Sequence, residues 1–195
     1  MNYKDYQQSR DAAWRILIDY HVTELPVRVV QICRGIGVTV RRAPLLEGVD
    51  GQSMILDGRP IILYRDMEST GRIRFTIAHE LGHILLGHVG KYELMNREPS
   101  PQDNPIEQAA NVFASRLLAP ACVLWGCRAG SPEDIMRLCS ISRAAAEFRW
   151  GRMQELYRRN KFLLHPLERQ LYANFRPYIE KNKLKGHRRL PGTDR

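Results

Sequence analysis

The chain has 195 residues, of which 44% are hydrophobic, and it carries a formal net charge of +9 at pH 7. This length and composition suit one compact domain with its own hydrophobic core. No unbroken apolar run approaches the roughly 18 residues that a membrane span needs, and the first residues lack the apolar stretch of a signal peptide. We therefore expect a cytoplasmic protein without a membrane span.

The four cysteines argue against a cysteine-based zinc ribbon, because no two of them form a CxxC pair. With no export signal, free thiols in a reducing cytoplasm are the expected state. The cysteines are Cys33, Cys122, Cys127 and Cys139.

The N-terminal part is predicted to contain two helices and a small sheet. Apolar residues recur at helical spacing over residues 3–20, and Pro26 marks the start of a second helix that ends near Gly35. Asp57-Gly58 lies between two apolar runs, which is a strong signal for a β-hairpin. The predicted strands are Val38–Val40, Ser53–Leu56 and Pro60–Tyr64.

The next predicted helix, residues 72–87, contains the sequence HELGH at 79–83. Residues four apart lie on the same face of a helix, so the imidazoles of His79 and His83 can bind one zinc ion. Glu80 lies next to the first ligand, where its carboxylate can take a proton from the attacking water. This is the HExxH pattern of metalloproteases. The alternative is a buried helix with two incidental histidines, but three polar groups clustered there would need hydrogen bonds that nothing nearby obviously supplies.

A catalytic zinc site usually has a third protein ligand, and two candidates follow in the sequence. His88 is about 140° around the helix axis from His83, so it can reach the same metal only if the helix ends first. Gly87 does indicate that the helix ends near His88. A partly protonated imidazole is then expected at the helix C-terminus.

The second candidate is Glu107, near the start of a helix predicted over 105–118 with Asn104 as its N-cap. Glu107 could complete a set of two histidines and one glutamate, or it could close a capping box with Asn104. The local pattern leaves both interpretations open. Asn111, one turn later, could hydrogen-bond a zinc-bound imidazole or be an ordinary buried amide.

The polar loop between these helices, residues 91–104, is predicted to flank the cleft. A donor that stabilises the developing oxyanion would assist hydrolysis, and His88 and Tyr92 are the candidates near in sequence. Substrate could be held by adding it as a strand to a sheet edge, for which the 53–64 hairpin is a candidate.

Residues 131–160 have the spacing of a helix-turn-helix, with Ser131 and Ser142 as helix caps. In one interpretation the second helix lies in a DNA groove and its arginines contact phosphates. In the other, its apolar residues pack the hairpin onto the domain and the arginines lie in solvent. The arginines are Arg143, Arg149 and Arg152, and the apolar residues are Ala144, Ala145, Phe148 and Leu156.

The last residues concentrate positive charge and include Gly186, Pro191 and Gly192, which predicts a disordered tail. Such a tail could contact nucleic acid nonspecifically or simply be solvated. Its basic residues are Lys181, Lys183, Lys185, Arg188, Arg189 and Arg195.

Two blocks, RFTIAHELGH at 74–83 and EQAANVFASRLLAP at 107–120, resemble the ImmA/IrrE family of metallopeptidases over about residues 35–150. The resemblance implies that His79, His83 and Glu107 bind zinc in a gluzincin-like site and that Glu80 is the base. It also implies regulatory, site-specific cleavage of a helix-turn-helix repressor, often one encoded beside the peptidase. The chain is most similar to the short members found in mobile elements and prophages, although Ala119 stands where methionine is common.

The expected architecture is α+β, with a small antiparallel three-stranded sheet packed on a helical zincin-like core and a C-terminal helical hairpin. Residues 1–165 are expected to form one metallopeptidase-like domain, followed over 166–195 by a C-terminal helix and the basic tail. The alternative function is a non-catalytic, zinc-stabilised module that sequesters a repressor or contacts DNA.

Overall fold

A computed structural model of the chain describes residues 1–43, 49–66, 69–89 and 104–184. Helices predominate in these residues, and a three-stranded sheet lies against them, so the predicted α+β class is confirmed. The elements are, in chain order, α1 (Tyr3–Asp19), α2 (Val29–Gly35), β1 (Thr39–Arg42), β2 (Gly51–Leu56), β3 (Arg59–Tyr64), α3 (Thr70–Leu85), α4 (Pro105–Leu118), α5 (Ala121–Gly126), α6 (Pro132–Cys139), α7 (Arg143–Arg158), α8 (Pro166–Asn174) and α9 (Arg176–Lys181).

The sheet is mixed, so the prediction of a purely antiparallel sheet was wrong. Its strand order is β1-β3-β2, with β2 antiparallel and β1 parallel to β3. The physical reason is that β3, the most apolar strand, takes the central position. There Ile62 is fully buried and pairs with Val40 on one side and Ser53 on the other. The predicted hairpin is confirmed: Asp57 and Gly58 both have positive φ, as a type I′ turn requires.

The second helix begins later than predicted. Pro26 is not its first residue, because α2 starts at Val29. Leu25 and Val27, on either side of Pro26, are both buried. The non-helical residues around Pro26 thus contribute two side chains to the core before the helix begins.

Helices α3 and α4 pack closely against each other at the centre of the domain. Ser69 caps α3, and Asn104 caps α4 with Pro105 at its first turn, as the sequence predicted for α4. Gly82 permits the close approach, since a Cβ there would lie 3.0 Å from Cδ1 of Phe113 and 3.3 Å from the Cα of Ala110. Small residues at the contact thus set the short separation between the two helices.

The remaining helices surround this pair and share one core. α1 packs against α4 and α8, and α8 and α9 contact α5. Leu171, Phe175 and Ile179 of the C-terminal helices are fully buried in that core. All four cysteines are buried and free. Cys33 lies in α2, Cys122 in α5 and Cys139 in α6, and Cys127 directly follows α5.

The α6–α7 hairpin matches neither sequence interpretation fully. Ser142 caps α7 as predicted, and Arg143 pairs with Glu133 in solvent at 2.8 Å. Arg149, however, is 2% exposed, and its Nε donates to the carbonyl oxygen of Ala119 at 2.7 Å. It is therefore neither a phosphate contact nor a solvated side chain. Ala144 and Phe148, which the packing interpretation places against the domain, are both exposed, Phe148 to 73%. Phe148 lies on the face of α7 opposite its buried residues Ala146, Arg149 and Met153.

One stretch, Pro105–Gly126, is long and apolar enough to cross a membrane by length and composition. The stretch does not stand out as one apolar run in the sequence, because Glu107 and Arg116 interrupt it. Within the protein 78% of its most apolar window is buried, and it comprises α4 and α5, which form the centre of the core. Its apolar character is that of a core helix.

We expect Gly82→Val to lower the free energy of unfolding by about 1–3 kcal/mol, because the added side chain overpacks the α3–α4 contact. The matched control is Gly151→Val on α7, where an added Cβ meets nothing within 4 Å. The control should be neutral or slightly stabilising, because valine is a better helix former than glycine. Urea unfolding measures both variants, and equal effects would contradict the proposed role of Gly82.

Candidate metal centre

The two histidines of the HELGH sequence face α4 from adjacent turns of α3. Their Nε2 atoms are 3.0 Å apart, and their rings meet edge to face. Four-residue spacing on a helix produces this stacking of side chains on one face. Gly87, with φ of +72°, ends α3 just beyond them. The sequence prediction that the helix ends near His88 is confirmed, since its last residue is Leu85.

Glu107 of α4 brings a carboxylate to the two imidazoles. Its Oε2 is 3.1 Å from Nε2 of His79, and its Oε1 is 3.3 Å from Nε2 of His83. The N-cap role falls to Asn104, whose side chain accepts a hydrogen bond from the backbone N–H of Ile106. Both oxygens of Glu107 thus face the histidines, as the metal-ligand interpretation requires.

The chemistry of these donors fits a divalent metal ion. In a tetrahedral site with bonds near 2.05 Å, ligand atoms lie about 3.3 Å apart, close to the three separations observed. Among the residues that the structure describes, His79, His83 and Glu107 form the group whose ligand atoms could hold a metal. Three protein ligands leave one coordination position for water, which is the usual catalytic arrangement.

The electrostatics of the centre favour positive charge. The hydrogen bond with His79, followed by that with His83, holds the pKa of Glu107 well below its usual range. Burial alone would lower the pKa of His79, but the hydrogen bond to Glu107 and the charges of Glu80 and Glu107 outweigh it and raise the pKa. The same negative charge would stabilise a metal cation bound between the three groups.

Asn111, one turn after Glu107 on α4, orients His79. Its Oδ1 is 3.0 Å from Nδ1 of His79. An amide oxygen only accepts, so Nδ1 of His79 must carry the proton and donate. When a metal takes the place of the proton on Nε2, the Nδ1–H donated to Asn111 holds the imidazole in the tautomer whose Nε2 lone pair binds the ion.

His88 orients His83 as Asn111 orients His79. The Nδ1 atoms of the two rings are 3.1 Å apart, on the side of His83 away from the donor atoms that face Glu107. Burial and the neighbouring His83 lower the pKa of His88 to about 4, so it is neutral and can accept the proton of His83 Nδ1. The expectation of a partly protonated His88 was therefore wrong. The second oxyanion candidate, Tyr92, lies outside the described residues.

The side chain of Glu80 is held in place by strand β2. It is 8% exposed, and its Oε2 accepts a hydrogen bond from Oγ of Ser53 at 2.7 Å. Gly51 makes this approach possible, because a Cβ there would lie 2.4 Å from Cγ2 of Thr76 and 3.2 Å from Cγ of Glu80. The sequence pattern predicts a strand at Ser53 but not its contact with Glu80. No local signal links it to a residue 27 positions away.

The comparisons with known proteins give one family. The model of the Peptidase_M78 family, described as the IrrE N-terminal-like domain, matches residues 33–160. No curated protein matches the chain. The matched range contains every residue of the centre described above, from Ser53 to Asn111.

We expect Asn111→Ala to lower the affinity for zinc by about tenfold to a hundredfold, because His79 loses the partner that fixes its tautomer. Asn111→Asp keeps an acceptor and should retain most of the affinity. Isothermal titration of metal-free protein measures both, and circular dichroism checks the fold. Equal affinities for the alanine and aspartate variants would show that Asn111 does not orient His79.

Proposed function

Since the chain belongs to the Peptidase_M78 family of IrrE N-terminal-like domains, we propose that it is a zinc-dependent endopeptidase of the gluzincin type. Its proposed action is a site-specific, regulatory cleavage of a helix-turn-helix transcriptional repressor. The family supports a metallopeptidase activity, and the group of His79, His83 and Glu107 supports a metal ion as cofactor. Two imidazoles and one carboxylate are a common ligand set for catalytic zinc.

The observation that carries the proposal is the position of Glu80 beside this group. A purely structural zinc site has four protein ligands and needs no base next to them. Here the centre has three, and a buried carboxylate follows the first of them in the sequence. Ser53 occupies only Oε2 of that carboxylate, so Oε1 is left to exchange a proton.

The residues divide the chemistry of peptide hydrolysis between them. When bound to His79, His83 and Glu107, a zinc ion would polarise the scissile carbonyl and lower the pKa of water at the site. Glu80 accepts the proton of the attacking water at Oε1 and passes it to the nitrogen of the leaving amine as the C–N bond breaks. Ser53 keeps the carboxylate in place during both transfers, while Asn111 and His88 keep the imidazoles in their productive tautomer.

The substrate is proposed to bind in extended form beside the sheet. β2 lies at one edge of the sheet, and it also carries Ser53, the residue that contacts Glu80. A peptide added to such an edge would pass close to the centre. If replacing the exposed Ile55 and Leu56 with serine left cleavage unchanged, binding along this hairpin would lose support.

We also propose a cytoplasmic location and a contact with nucleic acid. Four buried, free thiols are compatible with a reducing cytoplasm. The basic residues of the C-terminus, most of which lie outside the described residues, are proposed to contact nucleic acid nonspecifically. Association that is sensitive to salt and lost on truncation at residue 180 would support this contact.

Glu80→Gln tests the activity directly. We expect it to retain zinc and to cleave a helix-turn-helix repressor substrate about a thousandfold more slowly, because a general base contributes roughly 10²–10⁴ to the rate. Fragments are measured by mass spectrometry, with and without a chelator. The matched control is Glu133→Gln, an exposed carboxylate on α6, which should cleave normally.

The same experiment distinguishes the alternative function. Wild-type cleavage rates in Glu80→Gln would remove Glu80 from its role. A zinc-loaded wild-type protein that binds the repressor without cutting it would favour the non-catalytic module.

Ser53→Ala should lower the cleavage rate roughly tenfold, since a hydrogen bond to a charged group contributes about 1.5 kcal/mol or more. Ser53→Thr keeps the hydroxyl and should restore most of the rate. Zinc affinity should stay unchanged in both variants, because Ser53 contacts none of the ligands. A loss of rate in the threonine variant equal to that in the alanine variant would contradict the positioning role.

A further inference from the structure

A cavity of about 250 Å³ lies one helical turn from the metal centre. Helices α3 and α4 form its inner walls, and the α6–α7 turn together with α7 forms its outer wall. Its lining includes Phe75 on α3, Asn111 and Ser115 on α4, and Ile141, Ala145 and Phe148 on the hairpin.

The cavity and the centre share residues along the α3–α4 pair. Phe75 precedes His79 by one turn, and the two rings have centroids 6.4 Å apart. Asn111 lines the cavity and also contacts Nδ1 of His79. An extended peptide advances about 6.6 Å in two residues. A peptide with its scissile bond at the centre therefore brings a side chain to the cavity within two positions of that bond.

The lining selects the kind of side chain that can enter. It includes two polar side chains and no charged one: Asn111 Oδ1 contacts His79, and Ser115 Oγ accepts from Nη1 of Arg116 at 3.3 Å. The other lining residues are apolar, so a charged occupant would lose its water without gaining an opposite charge. A cavity of about 150 Å³ already accepts a molecule the size of benzene, so a large apolar or aromatic side chain fits here.

We propose that this cavity binds an apolar side chain of the substrate within two residues of the cleaved bond, and that Ala145 and Phe148 of α7 set the size it accepts. The proposal deepens the proposed function and rests on it. It also gives the helix-turn-helix-like hairpin a role in substrate selection. The exposure of Phe148 is then that of a cavity rim open to incoming peptide.

The test uses two hydroxamates that anchor on the metal and differ only in their apolar group. Acetohydroxamate has a methyl group, and 3-phenylpropanohydroxamate carries a phenyl group long enough to reach the cavity. We expect the zinc-loaded full chain to bind the second at least tenfold more tightly, because burying an aromatic side chain favours binding. Isothermal titration measures both dissociation constants without requiring turnover.

Two variants and a control assign the preference to the cavity. Ala145→Trp fills the cavity and should abolish the preference while leaving acetohydroxamate binding within about twofold. Phe148→Ala removes only the rim and should reduce the preference about threefold. The matched control is Gln154→Trp, an exposed position on α7 outside the cavity, which should keep the full preference.

The outcomes separate this inference from the function on which it rests. Equal binding of the two hydroxamates by the wild type, or a preference that survives Ala145→Trp, would overturn the assignment of the cavity. Failure of acetohydroxamate to bind the zinc-incubated protein would instead overturn the metal centre and the proposed function, and this proposal with them.

Discussion

Gly82 of α3 and Ala110 of α4 meet where a Cβ on the glycine would lie 3.3 Å from the alanine Cα. This contact sets the separation of the two helices at the level of the metal centre. Side-chain donors from different helices can converge to about 3 Å only if the helices approach to a fixed, short distance. The distances from Glu107 to the two histidines are therefore consequences of small residues that perform no chemistry themselves.

The sheet and the α6–α7 hairpin also help to position the metal centre, because both contact α3. The sheet brings Ser53 to Glu80, and Gly51 allows β2 to lie close enough. The α6–α7 turn packs on the start of α3, where a Cβ on Gly71 would lie 2.8 Å from the backbone nitrogen of Ser142. Strand β2 thus contacts the middle of α3, where the proposed base Glu80 lies. The α6–α7 turn contacts the beginning of α3, next to the side-chain cavity.

Much of this arrangement could be predicted from the sequence, where the information is local. The spacing of His79 and His83, the caps of α4 and the Asp57-Gly58 turn each depend on a few neighbouring residues, and the structure has them as predicted. For Glu107 the local pattern left two interpretations open, and only the family resemblance chose between them. Local rules could not give the parallel pairing of β1, which follows from competition for the central strand.

The features that sequence analysis missed depend on contacts between distant segments. Ser53 reaches Glu80 across 27 positions. Arg149 is buried where its Nε donates to the carbonyl of Ala119, at the break between α4 and α5. A sequence shows that an arginine is charged, but it does not show which backbone group 30 residues away lacks a partner.

The four buried thiols have a consequence for handling the metal. Burial raises the pKa of Cys33 and Cys139 to about 12 and that of Cys127 to about 11, so the folded protein presents no thiolates to compete with the imidazoles. The unfolded chain does present them, and soft sulfur ligands bind zinc well. Zinc would therefore raise the melting temperature by less than its affinity for the folded state implies. Refolding in the presence of excess zinc would also trap thiolate-bound chains, so the ion is best added after the fold has formed.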